Sequence, residues 1–272
     1  MVFNSIFFIF CFLPVFMLIY YLVPGKLRNL LLFLGSLIFY AWGEPVYVIL
    51  MLFSSIFNYY MGTELERLYY DDRKQKINLI FSIIINLAVL VFFKYYGFLL
   101  NTIGGIIGIH IPHPELSLPI GLSFYTFRNL SYLFDIYLSK VSAQRNFLTF
   151  SVYSTMFPYT SAGPIVRYTD IETQLKQRTI NISKFGIGAE LFVKGLAKKV
   201  LLADNLSVLY SSICGHPQMS VFTSWLGILA YTMQLYFDFS GYSDMAIGLG
   251  KMLGFDFNKN FDYPYISTSV SE

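Results

Sequence analysis

Apolar runs recur along this sequence, and the longer ones can cross a lipid bilayer. They cover residues 5–23, 29–42, 46–61, 77–100 and 119–138. In hydrocarbon every backbone N–H and C=O group must find a partner within the protein, so only helices and closed barrels span a membrane. The chain is 56% hydrophobic and 13% charged, whereas soluble domains carry about 25% charged residues. We therefore predict an all-α fold: a polytopic bundle of membrane helices with re-entrant and interfacial helices, forming one membrane domain over residues 1–272.

The distribution of basic residues predicts the orientation of this bundle. Lysine and arginine occur in the loops after the first, third and fifth apolar runs, and the connections after the second and fourth have none. Loops rich in lysine and arginine stay on the cytoplasmic side of a membrane. The N-terminus is accordingly predicted to lie outside, with the basic loops in the cytoplasm.

Two segments depart from this regular alternation. Residues 147–166 are apolar but contain Pro158 and Pro164, and Arg167 follows. A re-entrant element that enters and leaves on the cytoplasmic side accounts for this pattern, and a proline-kinked sixth span is the alternative. Residues 183–210 place four lysines among apolar side chains. They predict an interfacial helix with Ser183 as its N-cap.

The segment 231–254 is apolar enough for the membrane, yet it carries Asp238 and Asp244. A charged side chain at the bilayer centre costs at least about 2.5 kcal/mol, so it normally faces a protein interior or a watery cavity. Gly241, Asp244 and Gly248 share one helix face at steps of three and four residues. This narrow stripe predicts the close approach of a second helix. A polar stripe with the same spacing contains Tyr231, Gln234 and Asp238.

The ionisable groups in these segments allow two interpretations. Arg128 and Asp135 are seven residues apart and share a helix face. In the structural interpretation, the two aspartates of 231–254 pair with Arg128, Arg167 or tyrosine hydroxyls and hold the bundle together. In the functional interpretation they line a substrate path. The candidates for tunnel lining or structural support are Arg128, Asp135, Arg167, Gln234, Asp238, Ser240 and Asp244.

The sequence offers no metal site or familiar catalytic motif. His110 and His113 could suggest a metal pair, but neighbouring prolines and the lack of a further ligand favour a solvated loop. His216 is predicted to lie in a turn, and Cys11 and Cys214 are predicted to be buried thiols. Dinucleotide-binding, P-loop, α/β-hydrolase and zinc-protease motifs are absent. We expect no metal, no bound cofactor and, with a net charge of only +3, no nucleic-acid partner.

Four blocks of the sequence resemble the bacterial membrane-bound O-acyltransferase family, and within it the branch of alginate O-acetylation. They are LPIGLSFYTFRNLSYLFDIY (118–137), FPYTSAGPIVRYTD (157–170), GLAKKVLLADNL (195–206) and the stretch 234–272, which begins QLYFDFSGYSD. The resemblance implies a multi-pass protein of the bacterial cytoplasmic membrane whose helices enclose a tunnel. It also implies transfer of an acetyl group from a cytoplasmic thioester donor, taken to be acetyl-CoA, to an exported polysaccharide. Extracytoplasmic acetyltransferase or acyl-carrier proteins are the implied partners, with membrane lipid as the surroundings.

The resemblance implies no catalytic residue within these 272 residues. In the family, the block that ends at Glu272 leads into a Trp-His segment and then to the membrane-embedded histidine taken as catalytic. None of the three histidines here maps onto that position, so we expect the chain to be inactive alone. A non-catalytic membrane scaffold, or a solute transporter whose path includes Arg128, Asp135, Asp238 and Asp244, remains the alternative.

Overall fold

All regular elements in the described part of the chain are helical, which confirms the all-α prediction. The computed structural model describes residues 1–109, 112, 116–216, 220–262 and 264–269. The α-helices are α1 (Leu13–Leu22), α2 (Arg28–Gly43), α3 (Val48–Arg67), α4 (Asp72–Ile107), α5 (Leu122–Tyr137), α6 (Phe147–Thr155), α7 (Phe157–Thr160), α8 (Tyr168–Lys176), α9 (Ile182–Ala197), α10 (Asp204–Cys214) and α11 (Val221–Met252). A π-helical segment, Phe8–Phe12, leads into α1, and a second, Lys198–Ala203, joins α9 to α10 without a break.

The helices pack into two compact units. The first unit contains residues 1–24 and 162–166 and the described residues from Asp170 onwards, and the second contains residues 25–161 and 167–169. Helices α9, α10 and α11 therefore belong to the first unit, and α2 to α7 belong to the second. That all 272 residues form one membrane domain stays a prediction.

Two helices among the described residues are long and apolar enough to cross a membrane. They are α3, with 20 residues, and α4, with 36 residues. The helix Phe8–Leu22 is apolar but shorter, and the predicted second and fifth spans form α2 and α5, with 16 residues each. These helices fit a membrane protein, and the number of membrane crossings stays a prediction.

Several helix boundaries differ from the predicted ones. The polar stretch 62–76, predicted as a loop, is mostly helical, because α3 continues to Arg67 and α4 already begins at Asp72. The Asp71 side chain caps α4 by accepting a hydrogen bond from the Lys74 N–H at 3.1 Å. The prediction that Ser183 caps the next helix was wrong. The N-cap of α9 is Asn181, whose side chain accepts a hydrogen bond from the Lys184 N–H at 2.7 Å. In both cases a side-chain acceptor three residues before a free N–H decides where the helix begins.

The segment 147–166 is interrupted, as its prolines predict. Helix α6 ends at Thr155, Met156 has an extended ψ of 120°, and the single turn α7 follows with Pro158 near its start. Met156, Phe157 and Tyr159 are completely buried. Irregular backbone at membrane depth is tolerated where protein encloses it, so the structure fits a re-entrant element, whose position in a membrane stays a prediction.

Buried amide side chains connect the helices of the second unit. Asn58 of α3 and Asn86 of α4 exchange two amide hydrogen bonds, of 3.0 and 2.9 Å. Asn129 of α5 donates to the Ser54 hydroxyl of α3 at 3.1 Å. Between membrane helices, whose apolar side chains gain little by leaving lipid, such hydrogen bonds are a main source of specific association.

Candidate functional site

Helices α9 and α11 of the first unit contact each other backbone to backbone at two points. A Cβ atom added to Gly188 would lie 2.5 Å from the carbonyl oxygen of Gly248, and one added to Gly195 would lie 2.5 Å from that of Gly241. The pairing runs antiparallel, with both glycine pairs spaced by seven residues. It confirms that a helix approaches along the stripe of Gly241 and Gly248. The matching glycines of α9 were missed, because their segment was predicted to lie on the membrane surface.

The π-helical segment after α9 presents two adjacent lysines to α11. Lys198 Nζ lies 2.6 Å from Asp244 Oδ2, and Lys199 Nζ lies 2.8 Å from Asp238 Oδ1. Lys199 also pairs with Asp204 at 2.8 Å. π-Helical turns occur frequently at functional sites. Both aspartates thus have ion-pair partners, as the structural interpretation expected, but the partners are lysines and not arginine or tyrosine.

A cavity of about 410 Å³ lies beside the Lys198–Asp244 pair. Lys198, Lys251 and Lys259 contribute three positive charges to its wall, and Asp244 and Asp262 contribute two negative charges. The remaining lining is mostly apolar or aromatic, and consists of Leu191, Tyr236, Ile247, Phe257 and Phe261 with Asn260. The volume falls in the range of small-molecule sites, about 300–1,000 Å³. Among the predicted site residues, Asp244 lines this cavity.

The chain after α11 turns back to close one side of the cavity. Gly254, with φ of 90°, ends α11 in the left-handed conformation that glycine adopts without strain. The segment then lies along α11, where Asn260 Nδ2 donates to the Ser243 hydroxyl at 2.9 Å. Asp256 Oδ2 and Oδ1 accept from Lys184 Nζ at 2.7 Å and Lys251 Nζ at 3.0 Å.

The electrostatics of Asp256 follow from this geometry. Partial burial acts to raise the pKa of its carboxyl group, but the hydrogen bonds from Lys184 and Lys251 outweigh it, so the pKa lies below its usual range. The carboxylate therefore stays charged and ties the start of α9 to the end of α11.

Gln234 and Ser240 occupy other positions on α11. The Ser240 hydroxyl and Gln234 Oε1 are buried without a hydrogen-bond partner among the described residues. Tyr231, from the same predicted stripe, packs its ring 4.8 Å from that of Tyr210 on α10. The stripe of Tyr231, Gln234 and Asp238 therefore faces different partners along its length.

The predicted residues Arg128 and Asp135 lie in the second unit. Arg128 is 3% exposed, and its guanidinium donates to the carbonyl oxygens of Ser154 at 3.0 Å and Tyr159 at 2.6 Å. It also lies over the Tyr159 ring, 4.1 Å from the centroid. These carbonyls flank the break between α6 and α7, so Arg128 supports that break. Asp135 pairs with Lys140 at 3.7 Å.

The remaining predicted residues show mixed outcomes. Arg167 is exposed, and His216 follows the end of α10 as a turn residue, its N–H donating to the Ile213 carbonyl oxygen at 3.2 Å. The prediction of buried thiols was wrong, because Cys11 and Cys214 lie on outward faces and are exposed. His110 and His113 lie outside the described residues. Within the described residues no group of three or more His, Cys, Asp or Glu side chains is arranged to hold a metal ion.

A family model and several curated relatives match this chain. The sequence model of the membrane-bound O-acyltransferase family matches residues 42–270. A Pseudomonas aeruginosa protein named probable alginate O-acetylase is 42% identical over all of this chain and 53% of its own length. The peptidoglycan O-acetyltransferase of Helicobacter pylori is 32% identical over all of this chain and 58% of its own length. The teichoic acid D-alanyltransferase of Bacillus subtilis is 27% identical over 60% of this chain and 42% of its own length. The two acetylation relatives match all of this chain, and the chain spans about half of their length.

Proposed function

Because the chain belongs to the membrane-bound O-acyltransferase family, we propose that it forms part of a membrane O-acyltransferase. The reaction would move an acetyl group from a thioester donor on the cytoplasmic side to a hydroxyl of an exported cell-surface polysaccharide. Relatives named for alginate and peptidoglycan acetylation support a polysaccharide acceptor. An extracytoplasmic acetyltransferase or an acyl-carrier protein would be the partner.

The cavity beside Lys198 carries this proposal. A thioester donor such as acetyl-CoA combines phosphate groups with a narrow, largely uncharged arm that ends in the thioester. Three lysines on the cavity wall suit the phosphates, because lysine is a strong point charge for phosphate oxygens. The apolar and aromatic side chains opposite suit the arm. We assign the cavity to the donor.

Lys198 would act with Asp244 in this assignment. The carboxylate at 2.6 Å holds the ammonium group at the cavity wall, and two of the three lysine N–H donors stay free for a phosphate. The glycine contacts between α9 and α11 fix the distance between the two side chains. Asp244 is thus a positioning residue, and Lys198 is a donor-binding residue.

The chain alone is proposed not to turn over. Acetyl transfer to a hydroxyl needs a base that takes the hydroxyl proton. The ionisable side chains of the cavity wall are lysines, aspartates and Tyr236, and no described histidine lies there. The wall therefore lacks histidine, the side chain that most often acts as a general base. An acetyl-transfer assay with the purified 272-residue chain tests this point, and turnover above background would contradict it.

Donor binding is the direct test of the assignment. A non-hydrolysable thioether analogue of acetyl-CoA is titrated calorimetrically into the chain in detergent. Lys251→Gln and Lys259→Gln should each weaken binding about fivefold to tenfold, which corresponds to about 1–1.4 kcal/mol. Lys194→Gln is the matched control, because Lys194 lies on α9 with an exposed side chain paired with Glu190. Unchanged binding in the cavity variants, or an equal loss in the control, would contradict the proposal.

The alternatives give different outcomes in the same preparation. A membrane scaffold would bind no analogue. A solute transporter would carry solute into sealed vesicles in the absence of a thioester, and Asp244→Asn would change that flux.

A further inference from the structure

A second cavity, of about 440 Å³, lies in the second unit where α3 and α5 end. It opens to the surface and is lined by both signs of charge, with Glu66, Lys140 and Arg145 in its wall beside Tyr69 and Tyr70. The donor site proposed above does not use any of these residues. What this cavity binds is therefore a separate question.

The cavity lies at the end of a helix that is long enough to cross a membrane. Helix α3 has 20 residues and is apolar enough to cross a membrane, and at 1.5 Å per residue it is about 30 Å long, the thickness of the hydrocarbon core. Glu66 lies in the last turn of α3, and Tyr69 and Tyr70 follow its end. Tyrosine is enriched at the membrane–water interface, and Tyr70 is 97% exposed.

One part of the wall suits a phosphate. The side chains of Lys140 and Arg145 are 54% and 74% exposed. Arg145 pairs with Glu66 and Lys140 lies 3.7 Å from Asp135, yet each cation has more N–H donors than these contacts use. Charge-assisted hydrogen bonds from both could therefore reach one phosphate group without breaking either pair.

The part of the wall around Glu66, next to Arg145, suits a cation. Helices α3 and α5 both end here, and helix C-termini carry partial negative charge. Glu66 adds a carboxylate, and Tyr69 and Tyr70 offer ring faces that attract ammonium groups. Asp135, which contacts Lys140 of the wall through Oδ1, has its Oδ2 buried without a hydrogen-bond partner among the described residues. A ligand with only a phosphate would leave this half of the site unused.

We propose that this cavity binds the phosphoethanolamine headgroup of a membrane lipid. Its phosphate lies against Lys140 and Arg145, and its ammonium group lies against Glu66 and the tyrosine rings. Soluble phosphoethanolamine has the same two charges, but the position at the end of a membrane-length helix favours a lipid. The site goes beyond the proposed acetyl transfer and does not depend on it.

Native mass spectrometry of the detergent-purified chain tests this proposal. The chain is mixed with equal amounts of phosphatidylethanolamine and phosphatidylglycerol, and we expect at least about fivefold more adduct with the former. Lys140→Gln should lower the retention of both lipids. Glu66→Gln should remove the preference for phosphatidylethanolamine while leaving phosphatidylglycerol bound. Equal retention of the two lipids by the unaltered chain, or a preference for phosphatidylglycerol, would overturn the proposal.

Three controls keep the result interpretable. Arg67→Gln removes a neighbouring exposed cation that pairs with Glu64 outside the cavity, and it should leave retention unchanged. The double variant Glu66→Gln with Arg145→Gln removes a complete ion pair, so it leaves no unpaired charge and should fold, yet lose lipid. Soluble phosphoethanolamine at millimolar concentration should fail to displace the lipid, and displacement would argue for a soluble ligand instead.

Discussion

Gly188 and Gly248 bring the backbones of α9 and α11 into direct contact, with 2.5 Å between the Gly248 carbonyl oxygen and the place of a Gly188 Cβ atom. Real Cβ atoms do not approach backbone that closely, so no other residue type fits without separating the helices. This contact holds the Lys198–Asp244 pair, and with it the cavity wall, at a fixed spacing.

The glycine contact gives the first prediction. Gly188→Ala and Gly248→Ala should each destabilise the chain by about 1–3 kcal/mol, because overpacking forces the backbone to shift. The melting temperature in detergent measures this. Gly186→Ala on the same helix meets open space, with no atom within 4 Å. The stability of this control should rise by about 0.5–1 kcal/mol, because alanine favours a helix more than glycine does. A loss of stability as large as in the other two variants would contradict the role of the glycine contact.

Arg128 gives the second prediction. Arg128→Ala should cost about 3–5 kcal/mol, because it leaves the buried carbonyls of Ser154 and Tyr159 without donors. The stability of Arg128→Lys should lie between that of the unaltered chain and that of Arg128→Ala, since lysine cannot donate to both carbonyls with the same planar geometry. Arg73→Ala, at an exposed residue, is the control. Faster protease cleavage near Met156 in Arg128→Ala than in this control would show that the loss of Arg128 unfolds the break between α6 and α7. Equal cleavage in both variants would argue against that role.

Ser139 gives the third prediction. It is the one non-glycine residue of the described chain with positive φ, 56°, and it closes α5 in a Schellman motif. Its N–H donates to the Ile136 carbonyl oxygen at 2.8 Å, and the Lys140 N–H donates to that of Asp135 at 2.9 Å. Ser139→Gly should stabilise by about 0.5–1 kcal/mol, because glycine adopts this conformation without strain. Ser142→Gly, in the loop that follows and without a positive φ, should give no gain, and a gain of equal size would show that strain is not the cause.

Asp256 gives the fourth prediction, on pH dependence. Its pKa is lowered in the folded chain, so the stability it contributes is fully present above the unfolded value of about 3.9 and disappears as pH falls through the lower folded value. The melting temperature should therefore fall more steeply below about pH 4 in the unaltered chain than in Asp256→Asn. Replacing both Lys184 and Lys251 by Gln removes the cause and should flatten the profile in the same way. Identical slopes in all three chains would exclude this linkage.

The sequence predicted the helical class and the close approach along α11, because apolar periodicity and small residues depend on local spacing alone. It also placed the interruption of 147–166, where proline removes a backbone donor. It did not predict that lysines are the ion-pair partners of Asp238 and Asp244. Those depend on which helix lies against α11, a non-local choice made by Gly188 and Gly195, residues that look unremarkable in an apolar helix.

The predicted candidates separate into different environments for a similar reason. Arg128 and Asp244 both appear in the sequence as charges within apolar helices. One satisfies backbone carbonyls and the other lines a cavity, and only the partner elements distinguish them. The segment from Phe257 to Asp262 could not be identified as a cavity wall, because its return along α11 depends on the turn at Gly254 and the hydrogen bond between Asn260 and Ser243.

The π-helical segment Lys198–Ala203 changes the phase of the long helix that runs through α9 and α10. The step of seven residues from Gly188 to Gly195 would continue to Leu202 and Leu209, yet these are 41% and 38% exposed. The inward positions fall one residue later, at Ala203, which is 1% exposed, and at Tyr210, whose ring meets Tyr231. One additional residue in the helical turn rotates everything beyond it by about 100°. Removal of a single residue here would therefore turn α10 away from α11 while leaving α9 in place, so the length of this segment is a constraint in addition to its two paired lysines.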